Sequence, residues 1–245
     1  MRSKAYHAFE QKLIYFDDDV ELIDILRACV IGGDLTENGS QHVLKRLKPT
    51  KHKHIARRQN SDGSRKLIIN HLRSSVYSSY VKDIYEEVTE YFKTILKKAS
   101  GNGFSAGRIV GEHSFKVDAK TILDLENWDS VCQMVTDSVF QSLETERSTL
   151  KLLEKVASKL GLDVAKEHIE TALPYLETRH FLIHCDGKLT DEFKQNHPHI
   201  RCENDYLALD YTFICKYRDS VKKLIHEYDR EVIRTNLLKP EDTMP

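Results

Sequence analysis

Apolar residues recur at three- and four-residue steps along most of the chain, and that spacing predicts helices. Leu13, Phe16, Val20, Ile23, Leu26 and Val30 set out a first helix over 8–31, stopped by Gly32-Gly33. Val76, Tyr80, Ile84, Val88, Tyr91 and Ile95 make the clearest stripe, over 67–99. "SGNGFSAGRIVGEHSFK" then breaks the pattern. Its glycines lack the G-x-G-x-x-G spacing, no strand run precedes them and no Gly-Lys-Ser/Thr follows, so the stretch reads as a connector with room for a short hairpin, not a phosphate loop. Val131, Val135, Val139 and Leu143 predict a helix over 127–146, and another over 149–160 ends at Gly161. Asp163 is suited to cap the next segment, Pro174 to kink or restart it, and Gly187 to close it. A polar loop over 188–204 leads to a last helix over 206–235, and 236–245 reads as a frayed, flexible tail. The expected fold class is all-α. The expected division is an N-terminal helix with a connector (1–64), a helical domain (65–235) and the tail.

Composition narrows the function classes. The chain has 245 residues, 40% of them hydrophobic and 31% charged, which suits one globular domain with a real core. A net charge of −1 does not suit a protein that coats nucleic acid over its whole surface, so any such contact must be local. One local candidate exists. "KRLKPTKHKHIARRQNSDGSRK" sets Lys45, Arg46, Lys48, Lys51, Lys53, Arg57, Arg58, Arg65 and Lys66 against a single acid, Asp62. It reads either as a solvated face or as phosphate contact, with Lys51, Lys53, Arg57 and Arg58 the candidate RNA-binding set. Asp17, Asp18 and Asp19 face solvent or pair with that stretch. Tyr77, Tyr80, Tyr85, Tyr91 and Trp128 read as core and interface. Five scattered cysteines argue against a disulfide framework and for a reducing compartment. With no signal-like apolar region and no run near the ~18 apolar residues of a membrane span, a cytoplasmic protein without membrane contact is expected.

"RHFLIHCDG", residues 179–187, is the stretch that carries chemistry. Arg179 and His184 stand five residues apart, but so do Arg2–His7 and Arg108–His113, and Arg46–His52 and Arg65–His71 stand six apart. Only Arg179–His184 continues a strong helix, encloses Phe181, Leu182 and Ile183, and has a polar residue, His180, directly after the arginine. An imidazole exchanges protons near neutrality, and a guanidinium presents a fixed fork to phosphate oxygens. Two plainer readings compete. Arg179 and His184 can be a structural cap pair, with Arg179 bridging Glu177 or a neighbouring acid. His180 and His184, with Cys185, His197, His199 and Cys202 near in sequence, can be a zinc site, although neither H-E-x-x-H nor C-x-x-C is present.

"RHFLIHCDGKLTDEF" resembles the signature segment of HEPN-domain proteins, closest to prokaryotic ribonuclease members with Arg, a polar residue and His followed by a short Asn/Asp-Gly turn. His180 fills the polar position, where Asn or Asp is also common. The resemblance spans roughly 65–235, with a long early helix, middle helices, the motif helix and a long final helix; residues 1–60 lie outside it. It implies an up-and-down helical bundle acting as a homodimer, and a metal-independent endoribonuclease without cofactor. Arg179 and His184 would be catalytic and His180 auxiliary. It further implies a toxin or antiphage role on tRNA or other cellular RNA, held in check by an inhibitor or sensor partner. Some relatives have lost activity and only bind. Positions 179 and 184 lie roughly 140° apart on an ideal helix. One copy therefore makes a poor site, and two copies meeting at a two-fold axis would line one cleft with both pairs.

Overall fold

The computed structural model describes residues 1–103, 106–111, 116–125, 127–146 and 148–245, and these are mostly helical. After a two-residue strand β1 (Arg2–Ser3), helix α1 runs over Lys4–Gly32. The Ser3 side chain accepts from the Tyr6 amide, and Gly33 closes the helix in the left-handed region. The basic stretch that follows is turns around a single helical turn, α2 (Lys53–Ala56). The long helix α3 spans Asp62–Gly101, capped by Ser61. A short helix α4 (Ala106–Val110) occupies the described middle of the glycine-rich connector, where a hairpin was expected, and α5 (Ala119–Leu123) follows it; His113 falls outside the described residues. Helices α6 (Trp128–Glu144), α7 (Thr149–Leu160) and α8 (Lys166–His184) follow. A short α9 (Asp191–Asn196) and a small hairpin, β2 (Cys202–Glu203) with β3 (Tyr206–Leu207), precede α10 (Tyr211–Arg234). A last strand, β4 (Thr243–Met244), pairs antiparallel with β1.

The layers follow from where apolar stripes meet. Helix α3 is central. Helix α1 lies antiparallel to it, with Phe16 against Tyr80 and Arg27 Nε donating to Asn70 at 2.9 Å. Helix α10 runs parallel to α3, Tyr217 Oη donating to the Val81 carbonyl and Tyr91 Oη to Asp229. Helix α8 lies antiparallel to α10, Tyr175 meeting Phe213 and Tyr217. A ladder of rings, Phe16–Tyr80–Tyr217–Tyr175, thus crosses the molecule from α1 to α8. Helices α6 and α7 cover the C-terminal half of α3. Buried side chains from α1 to α10 form one cluster, so the core does not break at residue 64.

Several expectations are corrected. The 236–245 segment is not a frayed tail: Leu237 and Leu238 are buried, β4 pairs with β1, and Asp242 meets Lys98 Nζ at 2.8 Å. The last helix begins at Tyr211, because the Asp210 carboxylate caps it by accepting from the Phe213 amide. Trp128 is not core; at the first turn of α6 it is 74% exposed. Asp163 caps nothing: its amide donates to Glu231, and α8 starts without a side-chain cap. Pro174 sits inside α8 without ending it. Asp17 pairs with Tyr80 and Arg218, not with the basic stretch.

Candidate functional site

Helix α8 ends in a way that fixes the motif. The Cys185 and Gly187 amides both donate to the Phe181 carbonyl, and Asp186 (φ 51°) and Gly187 (φ 82°) turn through the left-handed region. The Gly187 carbonyl then accepts from Leu207. The chain folds back through α9, whose first turn is capped by Thr190. Phe193 of α9 packs on Phe181 at 4.8 Å between ring centroids, and this brings His197 beside α8.

The result is a cleft of about 870 Å³ between α3, the α6–α7 junction, α8 and α9. Arg179, half-buried, lies in its wall with its guanidinium carbon 4.5 Å from the Tyr85 ring centroid. Its Nε is buried and has no hydrogen-bond partner among the described residues. Among the described residues Arg179 makes no ion pair, so it does not bridge Glu177. His180 is exposed and lines the same cleft. His184, also exposed, is the last residue of α8, and its ring lies 5.0 Å from that of His180. It is not in the cleft wall. The structure thus brings Arg179 and His180 to one cavity and leaves His184 outside its wall, one helical turn further along α8.

Two cleft residues form a pair that sequence spacing did not join. Glu177 faces His197, with 3.9 Å between Oε2 and Nε2. Burial raises the Glu177 carboxyl above its ordinary value, while burial and the neighbouring His199 lower His197. Both are biased toward the neutral form, the state from which a proton can be given or taken. The fold-back through α9 joins them, and no local pattern encodes it. Tyr85, read from the sequence as core, is the platform under Arg179.

The candidate RNA-binding set lies elsewhere. Lys51, Lys53 and Arg57 are exposed and Arg58 is half-buried, near the start of α3. Tyr85 sits roughly 35 Å further along that helix at 1.5 Å per residue. None of these four cations has an ion-pair partner among the described residues. His180, His184, Cys185, His197, His199 and Cys202 do not converge: among the described residues no group of three or more His, Cys, Asp or Glu is placed to hold a metal ion. Nor is any described helix long and apolar enough to cross a membrane. Comparison with family models, with curated proteins and with solved structures finds no match for this chain.

Proposed function

We propose that this chain is a metal-independent endoribonuclease of the HEPN type, active as a homodimer on tRNA or other cellular RNA. The observation that carries the reading is the α8 end, where the Arg179 guanidinium, without an ion-pair partner among the described residues, and the His180 imidazole line a large cleft and His184 adjoins His180. In the proposed reaction a base takes the proton of a ribose 2′-hydroxyl. The 2′-oxygen attacks the adjacent phosphorus, and the bond from phosphorus to the 5′-oxygen breaks. An acid protonates that leaving oxygen, so the products end in a 2′,3′-cyclic phosphate and a 5′-hydroxyl. Arg179 would stabilise the extra charge on the phosphoryl oxygens. His184 would move protons, with His180 assisting. Since Arg179 and His184 diverge around α8, a second copy meeting the first at this helix end would complete the set. A toxin or antiphage role, with an inhibitor or sensor partner, rests on the resemblance.

A second reading, a silent binding module, has one observation in its favour. The cleft walls carry Glu86, Glu146, Glu177 and Glu192 against Arg179, His180 and His197, and that balance repels phosphate. Expression of the wild type and of His184→Ala, followed by mapping of cellular RNA ends, separates the two. New 5′-hydroxyl ends that vanish in the variant support the nuclease; identical RNA in both supports the silent module.

A further inference from the structure

Helix α1 has two faces, and only one is used. Its inner face is buried on α3 and α10 through Phe9, Leu13, Val20 and Ile23. Its outer face keeps Tyr15, Leu22 and Ile25 at 66%, 54% and 61% exposure, with Leu72 of α3 at 48%. Exposed apolar side chains are unremarkable singly, but Leu22, with Ile25 beside it, and Leu72 flank one groove, and such a cluster marks a contact surface. Between α1 and α3 runs a groove of about 320 Å³. Asp19, Leu22 and Leu26 line it from α1, and Leu72, Val76, Ser79 and Asp83 from α3. Both sets follow three- and four-residue steps, the spacing that receives the knobs of a third helix.

The groove is polarised along its length. Because α1 and α3 are antiparallel, Leu22, Leu26, Leu72 and Val76 share one end, while Asp19 and Asp83 lie toward the other, with Asp18 exposed beside them. None of Asp18, Asp19, Glu21, Asp24 and Asp83 has an ion-pair partner among the described residues; Asp83 only accepts from the Ser79 hydroxyl at 3.0 Å. Asp17, by contrast, is held inward by Tyr80 and Arg218. The same carboxylates argue against a second copy of this face as the occupant. A pairing of this face with itself would bring the carboxylates of two copies, Asp18, Asp19 and Asp83 on each, into one interface, and like charges in close pairs destabilise.

We propose that the α1–α3 groove docks an amphipathic helix of a partner protein, one with an apolar seam at three- and four-residue steps and Lys or Arg flanking it. Apolar knobs fill the Leu22–Leu72 end and the cations meet Asp18, Asp19 and Asp83. This groove lies across the ring ladder from the α8 cleft, so occupation leaves the cleft open. The site stands whether or not the chain cuts RNA.

The test uses the full chain and two designed helical peptides of roughly 18 residues, long enough to hold a helix once docked. Both carry the same leucine seam; one has lysine flanks and the other glutamate. The lysine peptide should bind about tenfold more tightly at low salt, as expected for about three exposed ion pairs, and added salt should narrow the gap. Leu22→Asp with Leu72→Asp should abolish binding without lowering the melting temperature. Asp19→Lys with Asp83→Lys should invert the preference toward the glutamate peptide, a result that unfolding cannot mimic. Equal affinity for both peptides, no binding of either, or binding unchanged in these variants would overturn the proposal. So would a wild-type self-association that Leu22→Asp with Leu72→Asp dissolves, since the occupant would then be a second copy.

Discussion

At the residue scale, the α8 cleft holds charge in an environment that opposes it. Arg179 gives its guanidinium to the Tyr85 face and leaves Nε unpartnered, an arrangement that costs stability unless an anion arrives. Glu177 is the clearest case, and its consequence can be measured. Burial raises its folded pKa above the ordinary 4.5, so the folded state holds that proton more tightly than the unfolded chain does. Its carboxyl therefore costs nothing below the ordinary value and destabilises as pH rises through the raised one. His197 runs the other way: with its folded pKa below 6.5, it destabilises as pH falls under that value. Glu177→Gln should accordingly raise the melting temperature at pH 7 to 8, with the gain fading as pH falls through the raised value and gone by about 4.5. Melting curves across that range check it. A variant that melts lower at neutral pH would mean that the His197 contact outweighs the burial. Of these residues, Arg179, His180 and His184 were legible in the sequence, because a local motif joins them. Glu177 and His197 were not legible as a pair, since twenty residues and a helical turn-back separate them.

At the scale of elements, periodicity located the long helices and ends located themselves where a cap or a left-handed glycine was available. Gly33 and Gly161 close α1 and α7 as the sequence suggested, and Gly187 takes the left-handed turn after α8. What periodicity could not foresee were contacts from distant chain. Residues 206–207 have a helical look but pair with β2, because Leu207 is drawn to the Gly187 carbonyl. The exposure of Trp128 has the same kind of origin: an aromatic at a helix start is buried only if another element reaches it. The turn after α8 can be tested alone. A side chain at Gly187 would have to hold φ 82°, so Gly187→Ala should cost about 1–2 kcal/mol. In a chain of this size that is roughly 2–8 °C of melting temperature. An unchanged melting temperature would show that the turn relaxes freely.

At the scale of the whole molecule, the two chain ends are tied together rather than loose. Ser3 donates its amide to the buried Asp229, β1 pairs with β4, and Tyr6 and Tyr91 surround the same carboxylate. That closure was invisible in the tail sequence "NLLKPEDTMP", because long-range pairing leaves no local pattern. The basic stretch and the cleft sit far apart along α3, so the two should make separable contributions to RNA handling. Neutralising Lys51, Lys53, Arg57 and Arg58 together should weaken RNA binding and reduce the salt slope by up to about 3, at roughly 0.7 per lost contact with a single strand. An unchanged slope would assign the stretch to solvent. The central claim, that the α8 end cleaves RNA without metal, is tested most directly by single-turnover cleavage of bulk tRNA in excess EDTA. Wild type should generate 2′,3′-cyclic phosphate and 5′-hydroxyl ends. His184→Ala should bind RNA, melt like the wild type and lose about 10²–10⁴-fold in rate. Cleavage that stops with EDTA and returns with Mg²⁺, or that survives intact in His184→Ala, would contradict it.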